Sequence, residues 1–148
     1  MSANNALQAA LISALRTDAD LIALLPTYAA VPAVFYYVPQ GFDDSQSYVT
    51  IYEISMLPDD TVNTDGFAAE VTIHTWVEEE TTAQTGAIMQ SIYNLLHKND
   101  TLPLTGYSVT GIDCEFQTIL RDPDGKTRHG VQRFNVSFEP AVIYPPCN

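Results

Sequence analysis

The sequence predicts an α+β domain: a mainly antiparallel sheet packed by two helices, with a long polar loop and a C-terminal β-hairpin. Three observations carry this. Two separate segments repeat apolar residues at spacings of three and four, which places a single stripe on a helix. Several runs are dense in β-branched and aromatic residues, as strands are. The order is helix, strands, helix, strands, with no glycine-rich turn after a strand and no repeat period, so a parallel nucleotide-binding sheet or a solenoid is not indicated.

At 148 residues, 46% of them hydrophobic, the chain is one domain and needs no metal or disulfide staple. Leu7, Leu11, Ile12 and Leu15 define the first helical stripe, with Ser2, Asn4 and Asn5 as available caps. Thr17 with Asp20 three positions on resembles a capping box, so the helix is expected to break near Thr17, restart through Leu21 to Leu25 and end at Pro26. A proline-interrupted aromatic stretch follows, in which Phe35 to Val38 pair briefly at a sheet edge.

Tyr48 to Ser55 and Ala69 to Val77 read as strands. Between them, Met56 to Gly66 is a polar loop longer than a hairpin requires, which implies a function or disorder. In the second strand Val71, Ile73, Thr75 and Val77 share one face, and Thr72, His74 and Trp76 the other. Thr81 or Thr82 caps the second helix, whose stripe is Ile88, Ile92, Leu95 and Leu96. The acids at its start and His97-Lys98 at its end suit the helix dipole. After a short segment around Tyr107 to Thr110, Cys114 to Arg121 and Thr127 to Glu139 form a hairpin about Asp122-Pro-Asp-Gly125, with a type I turn. The returning strand turns Gln132, Phe134, Val136 and Phe138 inward.

Charge narrows the function. The net charge is -12, from 18 acids and 6 bases, which speaks against a DNA-, RNA- or anionic-membrane-binding surface. The charge is also uneven: residues 1–97 hold twelve acids against Arg16 alone, and residues 98–148 hold six acids and five bases. No apolar run spans a bilayer, and no basic leader marks a secretory signal. Cys114 and Cys147 fit neither a zinc knuckle nor a redox CxxC pair, and free thiols are expected.

Catalytic candidates are sparse. His74, His97 and His129 have no second His or Cys at a ligand spacing; His74 reads as a strand side chain, His97 as a helix-end residue and His129 as an interface residue. Cys114 lacks any nucleophile signature. Asn63, Asp65 and Gly66 imitate the middle of a calcium loop, but Thr61 and Thr72 stand where its end carboxylates belong. Glu78-Glu79-Glu80 reads as helix-start and solubilising charge, and Asn135-Val-Ser137 as a chance glycosylation pattern inside a strand. No cofactor, metal or catalytic site is expected.

Leu120-Arg-Asp-Pro-Asp-Gly-Lys-Thr-Arg-His-Gly-Val-Gln-Arg-Phe134 resembles the closing hairpin of the tail-completion, or tail-terminator, family of long-tailed bacteriophages and gene-transfer particles. Asp18-Ala-Asp20-Leu, Val38-Pro-Gln40, the Tyr48 to Ser55 strand, the acidic loop, His74-Thr-Trp76 and Leu96-His97 follow the family's order. The resemblance covers roughly residues 6–139 and makes 1–139 one domain, with 140–148 a proline-rich tail.

It implies a structural virion protein with no enzymatic activity, located at the head-proximal end of the tail. There a ring, usually a hexamer, stops tube growth and meets the major tail tube protein and the head connector, with DNA only as passing cargo and no membrane partner. A cyclic ring needs a heterologous interface. Arg121, Lys126, Arg128 or Arg133 are expected to pair with acids of a neighbouring subunit or ring, and Asp59, Asp60, Asp65, Asp122, Asp124 and His129 to lie at the same contacts. Acids facing the bore would keep DNA from sticking. The polar loop is expected to order on assembly. The alternatives are a head-completion or stopper protein of the connector and, more distantly, a small hydrolase.

Overall fold

The computed structural model describes residues 2–60, 62 and 65–141, with Tyr52 described by its backbone alone. In chain order the elements are α1 (Ala3–Thr17), α2 (Ala19–Ile22), β1 (Thr27–Tyr28), β2 (Val31–Pro32), β3 (Val34–Phe35), β4 (Tyr48–Pro58), β5 (Phe67–Glu78), α3 (Ala83–Leu96), β6 (Tyr107–Arg121) and β7 (Thr127–Pro140). Five strands form one sheet in the order β3-β4-β5-β7-β6, antiparallel except for the β3–β4 pair. The expected α+β class holds.

Both long helices cover one face. Leu7, Leu11 and Leu15 of α1 and Ile88, Ile92 and Leu96 of α3 close over Val71, Ile73, Val77, Phe134, Val136 and Phe138, all buried. These are the positions that alternate inward along β5 and β7, so the period-two pattern and the helical stripes meet in one core. The opposite face carries no helix. Its side chains include Tyr48, Glu53, Thr72, His74, Trp76, Phe116, His129 and Arg133, as the strand pairing requires.

Several boundaries differ from expectation, each for a local reason. Ser2 caps α1 by accepting the Asn5 N–H, but the break is capped by Asp18, which accepts from Leu21 N, while the Thr17 hydroxyl donates back to Ser13 and Ala14 carbonyls. The brief edge strand is Val34–Phe35, one residue early, held there by Arg16, whose Nε and Nη2 both donate to the Val34 carbonyl. The only base of the first 97 residues is thus a structural clamp. An aromatic cluster of Tyr28, Phe35, Phe42 and Tyr48, ring centroids 5.1 to 6.4 Å apart, seals this edge.

The β4–β5 pairing continues to Pro58 and Phe67, so the connecting loop is shorter than Met56 to Gly66. Its base is closed by Asp59 N donating to Gly66 O and by Gly66 N donating to the Asp60 carboxylate. Thr61 and Asn63 of the calcium-like pattern lie outside the described residues, and Thr72 is a buried strand residue. Tyr107 to Thr110 is no separate segment but the start of β6, which absorbs two register shifts at Val109/Gly111 and Cys114/Phe116. Strand β7 includes Pro140, the first residue of the expected tail, and Ala141 N just beyond it donates to Gly106 O. Cys147 lies outside the described residues.

Candidate assembly surfaces

Two features outside the core have the geometry of contact surfaces. The first is the β6–β7 hairpin tip with the Glu78–Glu80 segment beside it. Gly125, with φ +78, takes the left-handed position of the turn, and its N–H returns to the Asp122 carbonyl. Asp124 accepts from the Lys126 and Thr127 N–H groups and from the Thr127 hydroxyl, and these bonds hold its carboxyl below the usual carboxylate range. The tip is therefore a rigid, exposed projection.

An open groove of about 520 Å³ separates the hairpin from Glu78, Glu79 and Glu80. Each of the three acids has its own task. Glu78 pairs with Lys126 at 3.4 Å. The Glu79 carboxylate accepts the Gln84 N–H at 3.1 Å and caps α3 beside Thr81, one of the two expected caps, whose hydroxyl accepts the Ala83 N–H; Thr82 makes no such bond. The Glu80 carbonyl accepts from Arg128 Nη2 and the Thr81 carbonyl from Arg128 Nε.

These bonds show how the chain itself uses the bases expected at contacts. Arg128 is buried and spent on two carbonyls of its own chain, Lys126 is paired with Glu78, and Arg133 is paired with Glu70 at 3.3 Å while lying over the Phe116 ring. Among the described residues only Arg121, of the four bases expected to reach a neighbour, has neither an ion pair nor a side-chain hydrogen bond within the chain. The structure groups Arg121, Asp122, Asp124, Lys126, Arg128 and His129 at one end of the sheet. Asp59, Asp60 and Asp65 sit at the opposite end, beside Pro58 and Phe67, and Arg133 lies between them. The ten residues form two surfaces rather than one.

The second feature is a ring stack across the bare face. Tyr48, Trp76 and His129 lie in a row, with centroids 6.1 Å apart for the first pair and 3.8 Å for the second, the latter tilted by only 11°. The register sets Tyr48 opposite Trp76 and Trp76 opposite His129. His74 Nδ1 lies 2.7 Å from His129 Nε2. Glu53 approaches His74 at 3.8 Å and Asp122 approaches His129 at 3.8 Å. Burial pushes both imidazoles below their ordinary range, and the neighbouring His74 lowers that of His129 further. The sequence offered His74 and His129 only as separate histidines and did not single out Glu53, because only the strand register brings these residues and Trp76 together.

Nucleophilic chemistry finds no support in the thiol. Burial raises the Cys114 pKa, the reverse of activation, and the nearby His97 Nδ1 accepts the Cys114 backbone N–H rather than the thiol proton. Among the described residues no group of three His, Cys, Asp or Glu side chains could hold a metal ion. Among the described residues no helix is long and apolar enough to cross a membrane.

The family model described as tail completion protein gp17 matches residues 9–139. The chain belongs to that family. This makes it a structural tail-completion protein of the virion, and the matched span takes in α1 from Ala9 onward, α2, α3, β1 to β6 and β7 up to Glu139. Among solved structures, a chain from the virion of a native gene transfer agent particle is similar to this tail-completion protein. It is 24% identical, with a TM-score of 0.83, covering 93% of this chain and 98% of that one. That likeness shows the shared fold. No curated protein matches the sequence.

Proposed function

We propose that this tail-completion protein is the tail terminator: a ring, most simply a hexamer, on the head-proximal end of the tail tube that stops tube growth and joins the tail to the head connector. The observation that carries the reading is the family match over residues 9–139, which includes the projecting hairpin from which the resemblance started. The geometry supports it. The domain has a flat bare sheet face, a rigid charged tip at one end and an acidic loop at the other, which suits a subunit that must meet neighbours above, below and beside it.

The mechanism is steric and electrostatic. A ring that occupies the growing end of a tube and presents a different surface on its far side removes the site to which the next tube subunit would add. Contacts at the hairpin end and at the Asp59–Asp65 end would serve the two stacked partners, the tube protein and the connector. Because the net charge is -12, phosphate binding inside the ring is disfavoured, and DNA passes without being held.

The test is to delete the gene and image the particles. Tubes of uncontrolled length, with unjoined heads, support the terminator. Tubes of normal length that merely fail to attach heads point to a stopper in the connector. A six-fold ring at the head end of the tube in the intact particle settles the stoichiometry; any other symmetry overturns the hexamer.

A further inference from the structure

The sheet ends in two edges that are open over opposite halves. Strand β4 pairs with β3 only at Val49 and Thr50, and among the described residues no strand lies along its outer side, away from β5, from Ile51 to Pro58. Strand β6 is covered near its middle, where Lys98 N donates to Ile112 O and Cys114 N donates to His97 Nδ1. From Phe116 to Arg121 its outer edge has no strand partner. Both open stretches expose large apolar side chains on the bare face: Leu57 at 70%, Phe116 at 47% and Leu120 at 51%. Proteins that remain single protect such edges; these two are long and apolar enough to template pairing.

We infer that these two edges pair with each other between copies of this chain, β6 of one copy adding to β4 of the next in an antiparallel seam with Phe116 opposite Leu57. The inference rests on the ring reading and specifies how the ring closes. Three features of the sheet agree with it.

Direction is the first. Strands β4 and β7 run one way and β5 and β6 the other, so a side-by-side repeat brings β6 against an antiparallel β4, the stronger kind of ladder. The contact is heterologous, as a cyclic ring demands.

Side-chain matching is the second. With Phe116 opposite Leu57, Thr118 falls opposite Ser55 on the bare face and Ile119 opposite Ile54 on the helix-bearing face. Three of the five pairs from Phe116 to Leu120 thus join like with like, while Gln117 meets Met56 and Leu120 meets Glu53.

Stagger is the third. Within one copy Phe116 pairs with Arg133, Arg133 with Thr72 and Thr72 with Glu53, so Phe116 is level with Glu53. Pairing it with Leu57 shifts each copy by four residues, about 13 Å, for a repeat of four strands, about 19 Å. That tilts the strands by about 35° from the ring axis, within the range of closed barrels. A right-handed β5–α3–β6 crossover, the hand of nearly all such connections, makes this tilt right-handed, as strand twist favours, when the helices face outward. The bare face then lines the bore. Six copies give a backbone diameter of about 45 Å.

The test is the double variant Leu57→Cys with Phe116→Cys, carried with Cys114→Ser and Cys147→Ser, in intact particles oxidised under mild conditions. The expected result is a ladder of covalent oligomers on a non-reducing gel, ending at the closed ring, with neither single variant giving more than monomer. A second variant, Leu57→Lys, is expected to keep the wild-type circular dichroism and melting temperature yet be lost from particles, while Ala87→Lys, on the exposed face of α3 and away from both sheet edges, is retained. Six-fold rings in particles without any cross-link, or Leu57→Lys incorporated like wild type, overturn the seam and leave the ring reading standing. A chain found outside any ring removes both.

Discussion

His74 and His129, 55 positions apart in sequence, share one hydrogen bond on the bare face of the sheet, Nδ1 of the first 2.7 Å from Nε2 of the second. One ring must donate and the other accept, so the pair is at its best when at least one imidazole is neutral. Burial lowers both pKa values, His74 lowers that of His129 further, and the Glu53 and Asp122 carboxylates only partly oppose this.

The sign of the pH dependence follows. A histidine whose folded pKa is depressed binds protons more readily when unfolded, so the contribution is complete above about pH 6.5 and is lost as the pH falls below it toward the folded values. Urea unfolding at pH 7.5, 6.5 and 5.5 should show stability declining across the lower interval, and His129→Gln should flatten that decline. Equal slopes in the two proteins would remove the pair as its source.

Arg128 and Lys126 are neighbours in sequence with opposite expected effects. Arg128 is buried on the Glu80 and Thr81 carbonyls, so Arg128→Ala should cost about 2 to 4 kcal/mol, counting two hydrogen bonds from a charged donor. Lys126 is largely exposed in its pair with Glu78, and Lys126→Ala should stay within about 0.5 kcal/mol. Chemical denaturation of both variants decides; a similar loss for the two would mean that the Arg128 bonds are not the anchor of the hairpin.

Glu79 caps α3 from four residues before the helix begins. Glu79→Ala should lower stability by about 1 kcal/mol, with Glu80→Ala, whose carbonyl rather than carboxylate is used, close to neutral. A melting temperature unchanged by Glu79→Ala would show that Thr81, which accepts the Ala83 N–H, suffices alone.

Gly130 marks where α3 sits closest to the sheet. A Cβ there would meet Met89 Sδ at 2.6 Å and Thr85 Cγ2 at 3.2 Å. Gly130→Ala should therefore destabilise by about 1 to 3 kcal/mol through overpacking. Combined with Met89→Ala, which opens the space, the loss should be smaller than the sum of the two single changes. Strict additivity would show that the helix moves away instead.

Much of the fold was legible. The inward alternation of Phe134, Val136 and Phe138 and the stripe of Ile88, Ile92 and Leu96 depend only on where consecutive side chains point, and both landed in the core. The turn at Asp122 to Gly125 was equally local. What escaped was non-local. The Glu79 cap lies outside the helix it serves; the Arg16 clamp reaches across 18 positions to the Val34 carbonyl. The charged residues of the hairpin could be named as candidates, but not which of them their own chain would neutralise.

By itself, then, the sequence determined the α+β class, the two helical stripes, the closing hairpin and an acidity unsuited to binding DNA, because periodicity, turn chemistry and net charge are properties of neighbouring residues or of simple sums. Only the tertiary structure decided that Lys126, Arg128 and Arg133 are occupied within the chain, that His74 meets His129, and that β4 and β6 are left open over complementary halves. Those outcomes depend on strand order and register, which bring distant side chains within hydrogen-bond reach and which no local pattern encodes.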